Sequence, residues 1–205
     1  MERENLIKSK EKKIEIIDTY LICLIVFISL FVLSMVIVKL FVTIEDIESL
    51  FKNLIKDGES RNSLDDGKTI LDFWIHNIIA NLIWILLGFI PFLYISRIGI
   101  FFNSILMGTV CGMLSVVENK GLLICFIYGY GAHGIIENLA NVLGFTVGIL
   151  ICRNLTKIIK KKIDIHSVLE KLKLYILIYC SLIIPILLVA AILEAKVTPI
   201  ILNQL

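Results

Sequence analysis

Five long apolar runs constrain this chain more than any other feature of its sequence. A helix needs about 20 apolar residues to cross the hydrocarbon core of a bilayer. Five segments reach that length: 20–42, 70–95, 98–117, 121–152 and 174–193. Because 58% of the 205 residues are apolar and only 19% are charged, a water-soluble fold of this size could not bury them. We therefore predict an all-α fold, a polytopic membrane helix bundle of about five transmembrane helices, with residues 1–205 forming a single membrane domain.

The distribution of Lys and Arg predicts the orientation of the bundle. Thirteen of the twenty fall in the N-terminal residues, at Arg97 between segments two and three, and between segments four and five. Positive residues concentrate on the cytoplasmic side of membrane proteins. We therefore expect a multi-pass protein of the cell membrane with its C-terminus external. Its predicted regions are a cytoplasmic N-terminus (1–19), an external acidic loop (44–69) and a cytoplasmic basic loop (153–173).

Net charge, cysteine usage and missing motifs exclude several classes of protein. The net charge of +2 is too small for the basic surface that binds nucleic acid. The five cysteines lie singly in apolar stretches with no C-x-x-C pair, unlike a disulfide framework or a zinc site. The sequence contains no H-E-x-x-H, G-x-S-x-G or phosphate-binding loop. We expect no enzyme activity, no cofactor, no metal site and no nucleic-acid partner.

Two connecting regions carry amphipathic patterns. Apolar residues at helical spacing from Ile44 to Leu54 predict a short helix on the external surface. Between Ile158 and Leu174 an apolar stripe runs among lysines. Such a stripe is typical of a segment lying on anionic lipid headgroups. A docking surface for a cytoplasmic partner is the alternative.

Segment four is too long for one simple span. From Gly121 to Arg153 it has 33 residues, which as a single helix would extend about 50 Å against a core of about 30 Å. Three of the six residues in Gly129–Gly134 are glycines, and glycine weakens a helix. We predict a fourth segment broken near Gly129–Gly134, with a full span starting at about His133. A kink in a tilted helix is the alternative.

Polar residues inside the spans recur at helical spacing. After the predicted break, residues 133, 137, 141, 144 and 148 share one helix face. An ionised carboxylate in hydrocarbon costs several kcal/mol unless it is paired or protonated, so the face that bears Glu137 must point into the bundle. A pair between Lys39 and either Glu137 or Glu194 would lower that cost. The predicted polar seam comprises His133, Glu137, Asn141, Asn77, Asn81, Lys39 and Glu194.

Small residues at four-residue spacing predict close helix packing. The predicted packing positions are Asn103, Ser104, Gly108, Gly112, Gly144 and Gly148. Small residues let helix backbones approach, and buried amides often hold membrane helices together. Two interpretations of the seam therefore stand: packing contacts, or a path for a solute or ion. His133 and Glu137 could also form an acid–base pair that activates water, but the sequence shows no nucleophile or metal ligands beside them.

Four motifs in order resemble the stage II sporulation protein M family of bacterial and archaeal membrane proteins. They are Phe73-Trp74-Ile75-His76-Asn77 continuing to Asn81 and Gly88, Phe102-Asn103-Ser104 with Gly108, His133-Gly134-Ile135-Ile136-Glu137 with Gly144 and Gly148, and Glu194-Ala195-Lys196-Val197-Thr198-Pro199. Two positions depart from the family pattern: Ser104 replaces a glycine, and Ala132 stands where many members have proline before the His. The resemblance covers about residues 73–199.

The resemblance implies a non-enzymatic membrane protein that acts as a scaffold or subunit of a complex. The named member of the family looks like a scaffold for cell-wall-degrading partners during engulfment in spore formers. Relatives in organisms without spores mean that the family name does not by itself imply a sporulation role. Expected partners are the lipid bilayer and membrane proteins or further copies of the chain. A transport or permease component, with Glu137 lining the path, is the alternative.

Overall fold

Helices make up the bundle in the computed structural model, which describes residues 2–49 and 69–197. The helices are α1 (Glu2–Phe41), α2 (Ile70–Leu87), α3 (Ile95–Val117), α4 (Leu122–Cys125), α5 (Ala132–Ile159), α6 (Ile165–Ile178) and α7 (Ile184–Lys196). Two π-helical stretches, π1 (Phe126–Gly131) and π2 (Tyr179–Ile183), join α4 to α5 and α6 to α7. Within the described residues, five helical stretches are long and apolar enough to cross a membrane. The predicted all-α membrane bundle is confirmed.

Two capping boxes mark where helices begin on one side of the bundle. The Thr69 hydroxyl accepts from the Asp72 amide while the Asp72 carboxylate accepts from the Thr69 amide, at 2.8 Å. Thr43 and Asp46 repeat the arrangement ahead of a helical stretch at 44–49. These reciprocal bonds satisfy amide groups that a helix start leaves without partners. The predicted external helix thus begins as expected, and its continuation beyond residue 49 lies outside the described residues.

Helix α5 forms the centre of the bundle. In its span 67% of the residues are buried, against 33% or fewer in the other four. One apolar cluster lies between α5 and helices α2, α6 and α7, around Leu150 and Leu187, and also includes Ile16 of α1. A second lies between α5 and helices α1 and α3, around Phe31 and Phe145. The two halves of the bundle therefore share α5 as their common wall.

The fourth segment remains helical throughout, and its interruption is the π-helical stretch π1. The glycine-rich sequence is therefore accommodated by a wider turn instead of a non-helical break. π-Helical turns are rare and often occur at functional sites. The span that follows begins at His133, as the sequence predicts.

The helices extend further into the predicted cytoplasmic regions than the apolar runs suggest. α1 is helical from Glu2, within the predicted N-terminal region 1–19. Much of the predicted basic connecting region 153–173 is helical, because α5 continues to Ile159 and α6 begins at Ile165. Only residues 160–164 connect the two. Ion pairs and hydrogen bonds accommodate the charged residues at these helix ends, as described below.

Candidate functional site: the polar side chains around α5

Three residues of the predicted seam join α2 to α5. The Asn81 amide nitrogen donates to the Ala140 carbonyl oxygen at 3.2 Å and to Asn141 Oδ1 at 3.1 Å. The Asn141 amide nitrogen donates in turn to Glu137 Oε1 at 3.3 Å. Asn81 is only 1% exposed. A continuous hydrogen-bonded chain therefore runs from α2 to the Glu137 carboxyl group.

Glycines bring the two backbones of this interface into contact. A Cβ atom placed on Gly88 would lie 2.7 Å from Gly148 Cα, and one on Gly144 would lie 2.7 Å from Asn81 Cγ. Distances below 3.0 Å are too short for such contacts, so α2 and α5 could not approach this closely with larger residues. The α5 glycines predicted to allow close packing, Gly144 and Gly148, therefore lie against α2 and Gly88 at its end.

The remaining seam residues take different positions. Asn77 is 9% exposed, and its amide nitrogen has no hydrogen-bond partner among the residues that the structure describes. Glu194 on α7 lies close enough to Glu137 for their charges to interact. The Lys39 amine instead donates to the Ser115 and Lys120 carbonyl oxygens at 2.8 and 3.4 Å, at the end of α3.

A second polar cluster lies on another face of α5, and the spacing of the seam residues does not predict it. Asn138, 5% exposed, accepts from the Asn103 amide at 3.0 Å. Its own amide nitrogen donates to the Gly134 carbonyl oxygen at 2.7 Å and also contacts the Tyr130 hydroxyl. The His133 ring lies beside Tyr130, with 6.2 Å between ring centroids. We call Asn103, Asn138 and Tyr130 the Asn138 cluster.

A signal for this cluster was present in the sequence. Asn138 follows Glu137 directly, so it lies about 100° away around the helix. Lipid accepts neither side chain, and two adjacent polar residues in a span therefore indicate a helix that is buried on more than one face.

A third cluster ties helix ends together on the side of the bundle where α1 begins. The Glu15 carboxylate accepts from Arg153 Nη2 at 2.8 Å and from Lys171 Nζ at 2.9 Å. Lys171 also reaches Asn154 Oδ1 at 3.3 Å, and the Asn154 amide donates to the Tyr175 hydroxyl at 3.0 Å. This Glu15 network links α1, α5 and α6, and the sequence offered no spacing pattern for it because its members are far apart in the chain.

The small residues of α3 pack against α1. A Cβ atom on Gly108 would lie 3.0 Å from the Phe31 carbonyl carbon, and one on Gly112 would lie 2.8 Å from the Met35 carbonyl oxygen. Ser104, on the same ladder, is fully buried. The predicted ladder is therefore a helix-contact surface, and it joins α3 to the first span, whereas Asn103 beside it reaches α5.

Comparisons with known proteins identify the family. No curated protein and no solved structure matches the chain. The family model described as stage II sporulation protein M matches residues 23–199. That range contains the seam, the Asn138 cluster and all four motifs on which the resemblance rests. The chain therefore belongs to the stage II sporulation protein M family.

Proposed function

We propose that this protein is a non-enzymatic scaffold or subunit of a larger membrane complex. The observation that supports this proposal best is how the amide nitrogens of Asn81 and Asn141 are used. The amide nitrogens of Asn81 and Asn141 donate within the bundle, to Ala140, Asn141 and Glu137, across an interface already closed by glycine contacts. A bundle closed in this way is suited to presenting fixed surfaces to partners.

Two surfaces are available for contact. On the side where α1 begins, the linker 160–164 exposes Lys160, Lys161 and Lys162. The N-terminal residues 2–12 extend α1 beyond its apolar span by about 16 Å, at ~1.5 Å per residue. The predicted acidic loop 44–69 follows the opposite end of α1, and residues 50–68 of it lie outside the described residues. We propose that the lysine linker binds an acidic region of a membrane-protein partner.

Photo-crosslinking from the linker tests the scaffold proposal. A crosslinking amino acid at position 161 should join the full-length protein to one partner in native membranes, in a fixed ratio. Replacing Lys160 and Lys162 by glutamine should abolish that product. The control is the same crosslinker at Leu177, which is 60% exposed within the apolar span. Equal products from both positions, or none from position 161, would contradict the proposal.

Transport is the second candidate, and a specific observation favours it. Asn77 Nδ2 and Asn81 Oδ1 are buried without a hydrogen-bond partner among the described residues. Unsatisfied buried polar atoms in the seam that also contains Glu137 could contact a permeating ion or solute. Proton flux into vesicles containing the purified protein, abolished by Glu137→Gln, would support this candidate. Equal flux from wild type, the Glu137→Gln variant and empty vesicles would reject it for protons.

We further propose that the side where α1 begins is cytoplasmic. The exposed lysines of the linker provide a direct test, because trypsin cleaves after lysine. Inside-out membrane vesicles should be cut at residues 160–162, and intact spheroplasts should be protected there. Cleavage of spheroplasts with protection of the vesicles would reverse the orientation.

A further inference from the structure

An apolar groove runs along the bundle between the first and fourth spans. Its volume is about 540 Å³. One wall is a single face of α1 from Leu24 to Met35, and the other is formed by α4, π1 and the start of α5. The α1 wall lies in the middle of the apolar span Lys13–Phe41. The groove is therefore at the depth of the lipid acyl chains.

The groove is closed at its floor and open at its rim. Phe27 and Phe31 on the floor are 5% and 6% exposed. The rim residues Ile28 and Ile135 are 51% and 43% exposed. An apolar slot that opens sideways at this depth faces hydrocarbon. Leaving it empty would forfeit the dispersion contacts of its walls.

Aromatic contacts shape the floor before any ligand enters. The Phe31 ring centroid lies 5.7 Å from that of Phe126 and 5.4 Å from that of Tyr130. Tyr130 is also held through its hydroxyl by Asn138. A site whose walls are fixed in advance loses little side-chain freedom when it is occupied.

The dimensions of the groove identify its occupant. Its α1 wall from Leu24 to Met35 is about 16 Å long, at ~1.5 Å rise per residue. A volume of about 540 Å³ over that length gives a mean cross-section of roughly 30 Å². An α-helix with side chains is about 10–12 Å across, which corresponds to a cross-section of at least about 80 Å². A groove of these dimensions encloses a single hydrocarbon chain along its length, whereas a partner helix could insert only part of its circumference.

We propose that the groove between α1 and the α4–π1–α5 segment binds one acyl chain of a membrane phospholipid. The groove walls are apolar along the length of the bound acyl chain. The acyl chain is therefore recognised by its shape and by the burial of its apolar surface, without a charged contact in the groove. The lipid then fills the space that would otherwise separate the first and fourth spans.

A photoactivatable phospholipid tests the proposal. The full chain is placed in nanodiscs that contain a phospholipid with a diazirine on its acyl chain, and the labelled residues are mapped after illumination. Labelling should be concentrated on the groove residues. Ile28→Trp places a larger side chain at the rim of the groove and should lower that labelling roughly tenfold. A tenfold loss of affinity corresponds to the burial of about two fewer methylene groups of the acyl chain.

The matched control is Ile25→Trp. Ile25 lies on the same helix, is 64% exposed and does not line the groove, so this variant should label as the wild type does. Leu139→Trp, on the opposite wall, repeats the test if Ile28→Trp fails to fold. Labelling spread evenly around the membrane belt, or unchanged in Ile28→Trp and Leu139→Trp, would overturn the proposal. A crosslink from the groove to a second protein chain would also overturn it.

Discussion

Two faces of α5 carry polar residues into the membrane, and they are packed in different ways. On the face toward α2, Glu137 and Asn141 continue into Gly144 and Gly148, and the α2 backbone lies directly against the helix. On the face toward α1 and α3, Asn138 continues into the apolar cluster that contains Val142, Phe145 and Ile149. The first interface is a contact of backbones, and the second is a contact of interlocking side chains.

The difference determines how each interface responds to change. Side-chain layers can repack when volume is conserved, whereas a backbone contact has no rotamer to move. The face toward α2 should therefore tolerate very little added volume. The face toward α1 and α3 should respond mainly to the loss of its hydrogen-bonded asparagine.

The largest expected effect is that of Gly88→Ala. The added methyl group meets the Gly148 backbone, so the C-terminal end of α2 must move away from α5. We expect a loss of about 1–3 kcal/mol or more of unfolding free energy, with a lower midpoint of thermal unfolding in detergent. Gly121→Ala is the control, because a Cβ at Gly121 meets nothing within 4 Å. Equal midpoints for the two variants would show that the interface is not a rigid backbone contact.

Asn138→Ala should be the next most damaging change. It removes the partner of the Asn103 amide and releases the Tyr130 hydroxyl. Leaving such half-buried groups unsatisfied within a membrane span costs about 1–3 kcal/mol. Asn103→Ala removes one bond and leaves Asn138 Oδ1 without that donor, but it keeps the contacts of Asn138 with Gly134 and Tyr130, so it should cost less than Asn138→Ala. If Asn103→Ala lowers the unfolding midpoint as much as Asn138→Ala, the Tyr130 contact contributes nothing to stability.

The same comparison explains what could be predicted from the sequence. Five spans follow from the apolar runs, because lipid requires a fixed length of hydrocarbon-compatible helix. The face of Glu137, Asn141, Gly144 and Gly148 follows from helical spacing, because every member lies on one helix. Spacing within one helix does not say which neighbouring helix a face meets. The spacing of the α3 ladder predicts a packing surface, but only the folded structure shows that the helix it contacts is α1.

Residues that act through distant partners were harder to predict. Glu15 and Arg153 are 138 positions apart, and neither belongs to a periodic pattern. Lys39 was expected to neutralise an acidic side chain, since an amine in hydrocarbon needs a partner. In the structure, the partners of the Lys39 amine are main-chain carbonyl oxygens at the end of α3. A sequence reveals that a buried charge needs partners, and it does not reveal that backbone atoms will supply them.

The Glu15 network tests whether the two halves of the bundle are also joined at their end. Glu15→Gln keeps the shape of the side chain and removes the charge that pairs with Arg153 and Lys171. We expect a loss of about 1 kcal/mol that shrinks as salt is added, since these groups are partly exposed. Glu170→Gln is the control, because its contact with His166 is longer, 4.0 Å, and more exposed. A salt-independent loss in Glu15→Gln would mean that packing, and not charge, holds this end.

The smallest expected effect is the coupling between Asn81 and Asn141, measured by a double-mutant cycle to alanine. Hydrogen bonds between membrane helices average about 0.6 kcal/mol and reach about 1.7, and we expect a coupling in this range from unfolding in detergent. Each alanine also leaves a cavity, whose cost appears in the corresponding single variant. Subtracting the two single-variant effects from that of the double variant therefore leaves the energy of the Asn81–Asn141 interaction. A measurable coupling would show that the amides bind each other in the folded protein. A coupling of zero would show that they do not, and it would remove the observation on which the scaffold proposal rests. The amides would then be available to a permeating solute, as the transport candidate requires.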